Sequence, residues 1–277
     1  MPRHDNDLEQ FSALVDALRP WLGQVIFVGG WAHRLYRDRP EATAVAYAPL
    51  RTDDADVALD SKTFRAAENI RTRLIDRGFV EGMSGDAQPP VTHYEMGGEQ
   101  AGFYAEFLTP LVGGERRRDG SADVTERVAG VVAQKLRHLE VLLVSPWAVA
   151  VTKEGGFSLS EGASILIPNP VSYLVQKLLV HDRRKPHDRP KDVLYIHDTI
   201  ELFAGALPDL RTLWIESVSQ TLHESAVRTV HAQVVKMFGA VNDVVREAAL
   251  VAAPRRLTPT AIQELCKVGL GELIDSR

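Results

Sequence analysis

The overall pattern of hydrophobic residues in this sequence changes at Pro168-Asn169-Pro170. Before that point, short apolar or alternating runs typical of strands are interleaved with amphipathic stretches typical of helices. After it, apolar residues recur at three- and four-residue steps almost to the end. The predicted helices of this part are 171–182, 190–204, 208–250 with breaks, and 258–275. We therefore predict two domains, an α/β domain at 1–167 and an all-helical domain at 168–277.

The first part of the sequence carries the elements of a sheet with flanking helices. Val25 to Val28 form a wholly apolar, β-branched run typical of a buried strand. Further strands are predicted at 55–59, 91–96, 102–108, 147–152 and 164–167. Helices are predicted at 6–19, from near Trp31, and from Ser61 to about Gly78. Residues 37–51 hold two prolines and no clear period, which indicates a loop. The fold class is therefore α/β or α+β.

Composition excludes several classes of protein. The 277 residues are 45% hydrophobic and 25% charged, as in ordinary globular chains. The net charge of −5 supplies no overall positive field, so a polyanion would need a local basic patch. Cys266 is the single cysteine, which excludes an internal disulfide, and we expect it to be a small core residue. No apolar run reaches about 18 residues and the N-terminus does not resemble a signal peptide, so we expect a cytoplasmic protein without membrane contact.

Two glycines and two aspartates have the pattern of a ligand-binding site. Asp54 and Asp56 lie two residues apart on a predicted strand, so their carboxylates share one face. A divalent cation is the simplest way to keep both ionised, and oxygen ligands suit Mg²⁺. Gly29 and Gly30 end the preceding strand, where backbone N–H groups without side chains can approach phosphates. Together these residues predict a nucleotide site.

Glu106 supplies a third carboxylate, flanked by apolar residues within a predicted strand. A carboxylate there costs free energy unless it is paired or coordinated, or unless it lies on an exposed edge. We predict that Glu106 holds a second cation and takes the proton of an acceptor hydroxyl. The three histidines His181, His187 and His197 lack the spacing of a zinc site.

Gly29-Gly30-Trp31-Ala32, Arg51-Thr52-x-Asp54-x-Asp56 and the later acidic strand resemble the polymerase-β-like nucleotidyltransferase superfamily. The resemblance implies a nucleotidyltransferase-type mixed sheet and transfer of a nucleoside monophosphate from an NTP to an acceptor hydroxyl. It also implies Mg²⁺ or Mn²⁺ at the three carboxylates, with Arg51 near the nucleotide. In that family the acidic pair follows the glycines more closely, so segment 37–51 is expected to be an insertion if both motifs belong to one site.

A second region is similar to the helical half of bacterial nucleotidyltransferase-fold proteins, including the AbiEii-type toxins. It comprises Pro168-Asn169-Pro170, Lys177-Leu178, Arg183-Arg184 and Lys191-Asp192. The resemblance implies that Lys177 contacts the nucleotide, that the acceptor is an RNA end such as a tRNA arm, and that an antitoxin or regulator is a partner. Lys177 also lies on an apolar helix face, from which it could simply extend to the surface.

The acceptor is predicted from charge. Arg183, Arg184 and Lys191 belong to the densest basic segment of an acidic chain, which favours RNA, although a solvated loop has the same composition. Gly-Gly-Trp-Ala also resembles aminoglycoside and lincosamide nucleotidyltransferases, which implies a small-molecule acceptor in an acidic pocket. A third hypothesis is a nucleotidyltransferase fold that binds without catalysis.

Overall fold

The computed structural model describes residues 4–52, 54–65, 68–85, 89–96, 102–116, 120, 122–252 and 255–274. The chain divides into two compact units. The α/β unit consists of Met1–Ala32 and Arg51–Pro168, and the helical unit consists of His33–Leu50 and Asn169–Arg277. Every helix within the described ranges is too short or too polar to span a bilayer.

One mixed sheet contains the nine strands found among the described residues. They are β1 (Val25–Val28), β2 (Asp54–Leu59), β3 (Val80–Ser84), β4 (Val91–Met96), β5 (Phe103–Pro110), β6 (Thr125–Val128), β7 (Val131–Leu136), β8 (Trp147–Val151) and β9 (Ala163–Ile167). The order across the sheet is β3-β4-β5-β2-β1-β9-β8, while β7 pairs with β5 and β6. β2 runs antiparallel to β1 and parallel to β5. The predicted class, a mixed sheet with flanking helices followed by a helical half, is confirmed.

The helices follow in chain order. They are α1 (His4–Ala17), α2 (Gly29–Leu35), α3 (Ile70–Asp76), α4 (Pro170–Val180), α5 (Arg189–Leu202), α6 (Leu207–Leu213), α7 (Ser219–Thr221), α8 (Glu224–Phe238), α9 (Asp243–Val251) and α10 (Pro259–Ile274). A π-helical turn, Trp214–Val218, connects α6 to α7. Asn169 caps α4 because its side chain accepts a hydrogen bond from the Ser172 N–H at 2.8 Å. The helix start predicted after Pro168 is therefore confirmed, with a specific cap.

The helix predicted from Ser61 to Gly78 begins too early. Asp60 instead forms a turn, because its carboxylate accepts hydrogen bonds from the Lys62 N–H at 3.0 Å and the Thr63 hydroxyl at 3.2 Å. Such local bonds compete with a helix. The helix α3 starts only after Asn69, whose side chain accepts from the Thr72 N–H at 3.2 Å. Strands β3, β6 and β7 were not predicted.

The two faces of the sheet have different cores. On one face Phe27 packs against Phe11 of α1, with ring centroids 5.2 Å apart, and Phe11 stacks on Trp31 at 3.9 Å. On the other face lies an apolar cluster of six buried residues, Ile26, Val28, Ala58, Leu108, Leu139 and Leu142. Val28 and Ala58 occupy the same side of the sheet as Asp56, since paired residues share a face. This second face is thus apolar at one end and carboxylate-bearing at the other.

Segment 33–50 belongs to the helical unit. After a 3₁₀ turn at Tyr36–Asp38 it has no regular structure through residue 50, as predicted for 37–51. The Thr43 N–H donates to the Leu202 carbonyl at 2.7 Å, and the Tyr47 hydroxyl donates to Glu201 at 2.6 Å. These bonds to α5 and its end hold the inserted segment. Although segment 33–50 lies between them in the chain, β1 and β2 pair directly.

Candidate active site

The register between β2 and β5 brings the predicted carboxylates together. Asp56 lies opposite Glu106, and Asp54 lies opposite Tyr104. All three carboxylates are half-buried, whereas the intervening Ala55 is fully buried on the opposite face. The alternation therefore places Asp54, Asp56 and Glu106 on one side of two adjacent strands.

The environment of these carboxylates differs from that of isolated acids. Burial raises the pKa of Glu106, and the negative charge of Asp54 raises it further, while His93 acts in the opposite direction. The hydroxyl of buried Thr52 donates a hydrogen bond to the Asp54 carboxylate. Asp54 is thus held in place, and a cation or a proton at Glu106 would offset the cost of its buried charge.

Close approach to other atoms requires glycine at both positions, and the backbone conformation also requires it at Gly29. Gly29 has φ +65°, and a Cβ there would overlap the Oδ2 atom of Asp56. A Cβ on Gly30 would lie 2.5–2.7 Å from three atoms of the Thr52 side chain. The turn is therefore packed directly against the carboxylate site. A signal for this packing in the sequence was the order Gly-Gly, then Thr-x-Asp-x-Asp.

Three residues on the same face, His93, Glu95 and Tyr104, were not predicted to belong to the site. His93 of β4 lies opposite Glu106, and Glu95 lies opposite Tyr104. Period-2 alternation around residues 91–96 and 103–108 could have placed each pair on one face of its own strand. The sequence alone does not show that β4 pairs with β5 in this register.

A different group has the closest metal-like arrangement among the described residues. Ligand atoms of His197, Asp198 and Glu201 lie within 4.8 Å of one another, whereas no such grouping is found for the carboxylates of the sheet. Each of the three already has a protein partner: His197 bonds Asp198 at 3.0 Å, Arg255 bonds Asp198 at 2.6 Å, and Tyr47 bonds Glu201. Because Arg255 already neutralises Asp198, the arrangement is that of a structural network within the helical unit.

Lys177 is buried in the helical unit, with 10% of its side chain exposed. Its ammonium group lies 2.6 Å from Asp192, and Arg184 bonds the other oxygen of Asp192 at 3.0 Å. The Lys177 Nζ atom also lies 4.9 Å from the centre of the Tyr195 ring. Burial alone would raise the pKa of Asp192, but the charges and hydrogen bonds of Lys177 and Arg184 outweigh burial and hold it below its usual range.

The remaining basic residues differ in exposure. Arg183 and Arg51 are exposed, and Lys191 is half-buried with its Nζ atom 5.7 Å from the Tyr195 ring centre. Cys266 is fully buried and free, and burial raises the pKa of its thiol, so the predicted core role is confirmed. The assignment of Lys177 and Arg51 to nucleotide binding stays a prediction. The assignment of Arg183, Arg184 and Lys191 to acceptor binding also stays a prediction.

A protein-family model described as "Nucleotidyltransferase" matches residues 6–219, which is well over half of the chain. The chain belongs to this nucleotidyltransferase family. No curated protein and no solved structure gives a significant match. The protein is therefore a nucleotidyltransferase, an enzyme class that takes an NTP as donor and transfers its nucleotidyl group to an acceptor. The matched range includes the whole carboxylate face of the sheet and the helices α4 to α6.

Proposed function

We propose that this nucleotidyltransferase performs its reaction at Asp54, Asp56 and Glu106, moving a nucleoside monophosphate from an NTP to an acceptor hydroxyl with release of pyrophosphate. The observation that carries the proposal is the parallel register that sets Asp56 beside Glu106. Gly29 presents bare backbone against the Asp56 carboxylate at the end of β1. The family match supports the reaction class, and the geometry supports these residues for it.

The carboxylate group fits a divalent cation, Mg²⁺ or Mn²⁺. Its donors are hard oxygens, which these cations prefer. Burial raises the pKa of Glu106 and the negative charge of Asp54 raises it further, and a cation would offset both the buried charge and the repulsion. When bound, such a cation neutralises phosphate charge and orients the reacting oxygens.

The chain's own groups then have separate tasks. Asp54, held by Thr52, and Asp56, set against Gly29, are the cation-holding carboxylates on the nucleotide side. The backbone N–H groups of Gly29 and Gly30 donate to the phosphates. Glu106, which lies beside Asp56 on the neighbouring strand, accepts the proton of the acceptor hydroxyl.

Two classes of acceptor have support. An RNA end is supported by exposed Arg183 and Lys185 in the basic segment of the helical unit. Arg184 contributes less charge to this surface because Asp192 binds its guanidinium. An RNA-modifying role would fit a toxin neutralised by an antitoxin or regulator. The second class, a small polyhydroxylated or cationic acceptor, is supported by the acidic character of the sheet face.

The test of the reaction combines labelled NTPs with candidate acceptors. Protein, Mg²⁺ and each labelled NTP are incubated with total tRNA, with an aminoglycoside panel, and with cell lysate. We expect label on one acceptor class, lost in Asp56→Ala and retained in the matched control Asp76→Ala, an exposed aspartate at the end of α3. Equal turnover in Asp56→Ala would reject the site. Saturable NTP binding without label anywhere would indicate a binding protein that has lost catalysis.

A further inference from the structure

A second polar group continues the carboxylate row across the sheet. The register runs from Asp56 on β2 to Glu106 on β5, then to His93 on β4 and Gly82 on β3. The adjacent row runs from Asp54 through Tyr104 to Glu95. Because laterally paired residues point to the same face, His93, Glu95 and Tyr104 share the face of the proposed catalytic carboxylates.

The His93 ring has a defined position on this face. It lies over Gly82, where a Cβ would overlap the ring. Its Nε2 atom lies 3.2 Å from Glu95, and its centroid is 6.3 Å from that of the Tyr104 ring, with the ring planes at 77°. A glycine on the edge-most strand of this series therefore leaves the space that the imidazole fills. The three side chains form one contiguous surface.

The order of the strands gives this surface a place in the reaction. Gly29 and the aspartates of β2 lie on one side of Glu106, and His93 lies on the other. In nucleotidyl transfer the attacking and leaving oxygens lie roughly in line across the phosphorus. If the phosphates lie toward Gly29, the acceptor hydroxyl approaches Glu106 from the side of His93.

Charge on this face indicates the kind of acceptor. At the described paired positions of β2, β3, β4 and β5 the face holds four carboxylates, those of Asp54, Asp56, Glu106 and Glu95, and neither lysine nor arginine. Glu95 is not among the proposed cation ligands, and its side chain is 44% exposed. Its charge repels a phosphate-rich polymer and attracts an ammonium group, while the Tyr104 ring offers an aromatic face.

We propose that His93, Glu95 and Tyr104 form the acceptor subsite, and that it takes a small, amine-bearing, polyhydroxylated molecule. This inference rests on the proposed function of Asp54, Asp56 and Glu106. The RNA acceptor is then the competing outcome.

Direct binding tests the subsite independently of turnover. Calorimetry with Mg²⁺ present compares kanamycin A, which carries amines, with maltotriose, a neutral oligosaccharide of similar size. We expect the wild type to bind kanamycin A more tightly than maltotriose. Glu95→Gln should raise the Kd for kanamycin A about 10-fold, the loss expected for one charge-assisted hydrogen bond, and leave NTP affinity unchanged. The matched control is Glu154→Gln, an exposed glutamate between β8 and β9.

Gly82→Ala provides a second variant that leaves the subsite side chains chemically unaltered. The added methyl displaces the His93 ring, so kanamycin A binding should weaken while NTP binding persists. Equal kanamycin A affinity in wild type, Glu95→Gln and folded Gly82→Ala would overturn the subsite. Transfer to tRNA that depends on Glu95 would overturn the amine-bearing acceptor. Failure of the proposed function is recognised separately, by transfer that survives Asp56→Ala. In that case Glu95-dependent kanamycin A binding would show an amine-binding site on this face, and its assignment as the acceptor subsite would fall with the proposed function.

Discussion

Asp56 on β2 and Glu106 on β5 are direct neighbours in the parallel register, although fifty positions separate them in the chain. Gly29, at the end of β1, is packed against the Asp56 carboxylate. The three residues come from three consecutive strands of the sheet or from the turn that follows one. This place in the sheet therefore brings two carboxylates together beside bare backbone.

Glu106→Gln should stabilise the protein and abolish transfer. Burial and Asp54 raise the pKa of Glu106 in the native state. Between the unfolded and native pKa values the native state therefore holds more protons, so stability falls as the pH rises through that window. We expect a gain of about 0.5–2 kcal/mol in the free energy of unfolding, larger at about pH 8 than at about pH 4.

Urea unfolding without divalent cations measures this gain, with Glu154→Gln as the control for loss of one exposed carboxylate. A wild type that is more stable than Glu106→Gln at the higher pH would contradict the electrostatic account of the site.

Gly30→Ala should destabilise the protein through Thr52. The new Cβ would lie 2.5–2.7 Å from buried side-chain atoms of Thr52, which donates to Asp54. Overpacking of this kind costs about 1–3 kcal/mol. Gly23→Ala is the matched control, since no atom lies within 4 Å of its added Cβ. Urea unfolding should show a lower free energy of unfolding for Gly30→Ala than for Gly23→Ala. Equal free energies would contradict the overpacking argument.

Lys177→Met should lower stability by about 3–5 kcal/mol, the cost of leaving a buried charge with too few partners. Asp192 is fully buried and binds both Lys177 and Arg184. Because its native pKa is lowered, the stability from this cluster is present above the unfolded pKa and is lost as the pH falls. Asp192→Asn should cost less in the Lys177→Met background than alone. Reduced NTP affinity without reduced stability would instead assign Lys177 to the nucleotide alone.

His33 should make the protein sensitive to mild acid. Burial lowers its pKa to about 3, assisted by the charges of Arg37, Lys177 and Arg255 and opposed by Asp198. Below 6.5 the unfolded chain binds a proton that the native state does not, so stability falls by up to about 1.4 kcal/mol per pH unit. His33→Leu should flatten the decline between about pH 6 and about pH 4, and exposed His187→Leu should not. An unchanged slope in His33→Leu would refute this.

Local chemistry in the sequence determined much of the fold. The apolar run of β1 and its glycines, the shared face of Asp54 and Asp56, and the change to helices after Pro168 all depend on neighbours within a few residues. The helix predicted to start at Ser61 is wrong for a local reason as well, because the Asp60 side chain stabilises a turn there that competes with the helix.

Tertiary structure decided which of these segments meet. Pairing of β2 with β5 brought Glu106 to Asp56, and pairing of β4 with β5 added His93 and Glu95. The buried partner of Lys177 and the attachment of segment 33–50 to α5 likewise depend on packing between distant residues. Side-chain directions repeat every 2 residues in a strand and every 3.6 residues in an α-helix, so the sequence shows which side chains share a face. The choice of strand partner and register instead depends on burying whole faces together, and that free energy belongs to the assembled sheet rather than to any one segment.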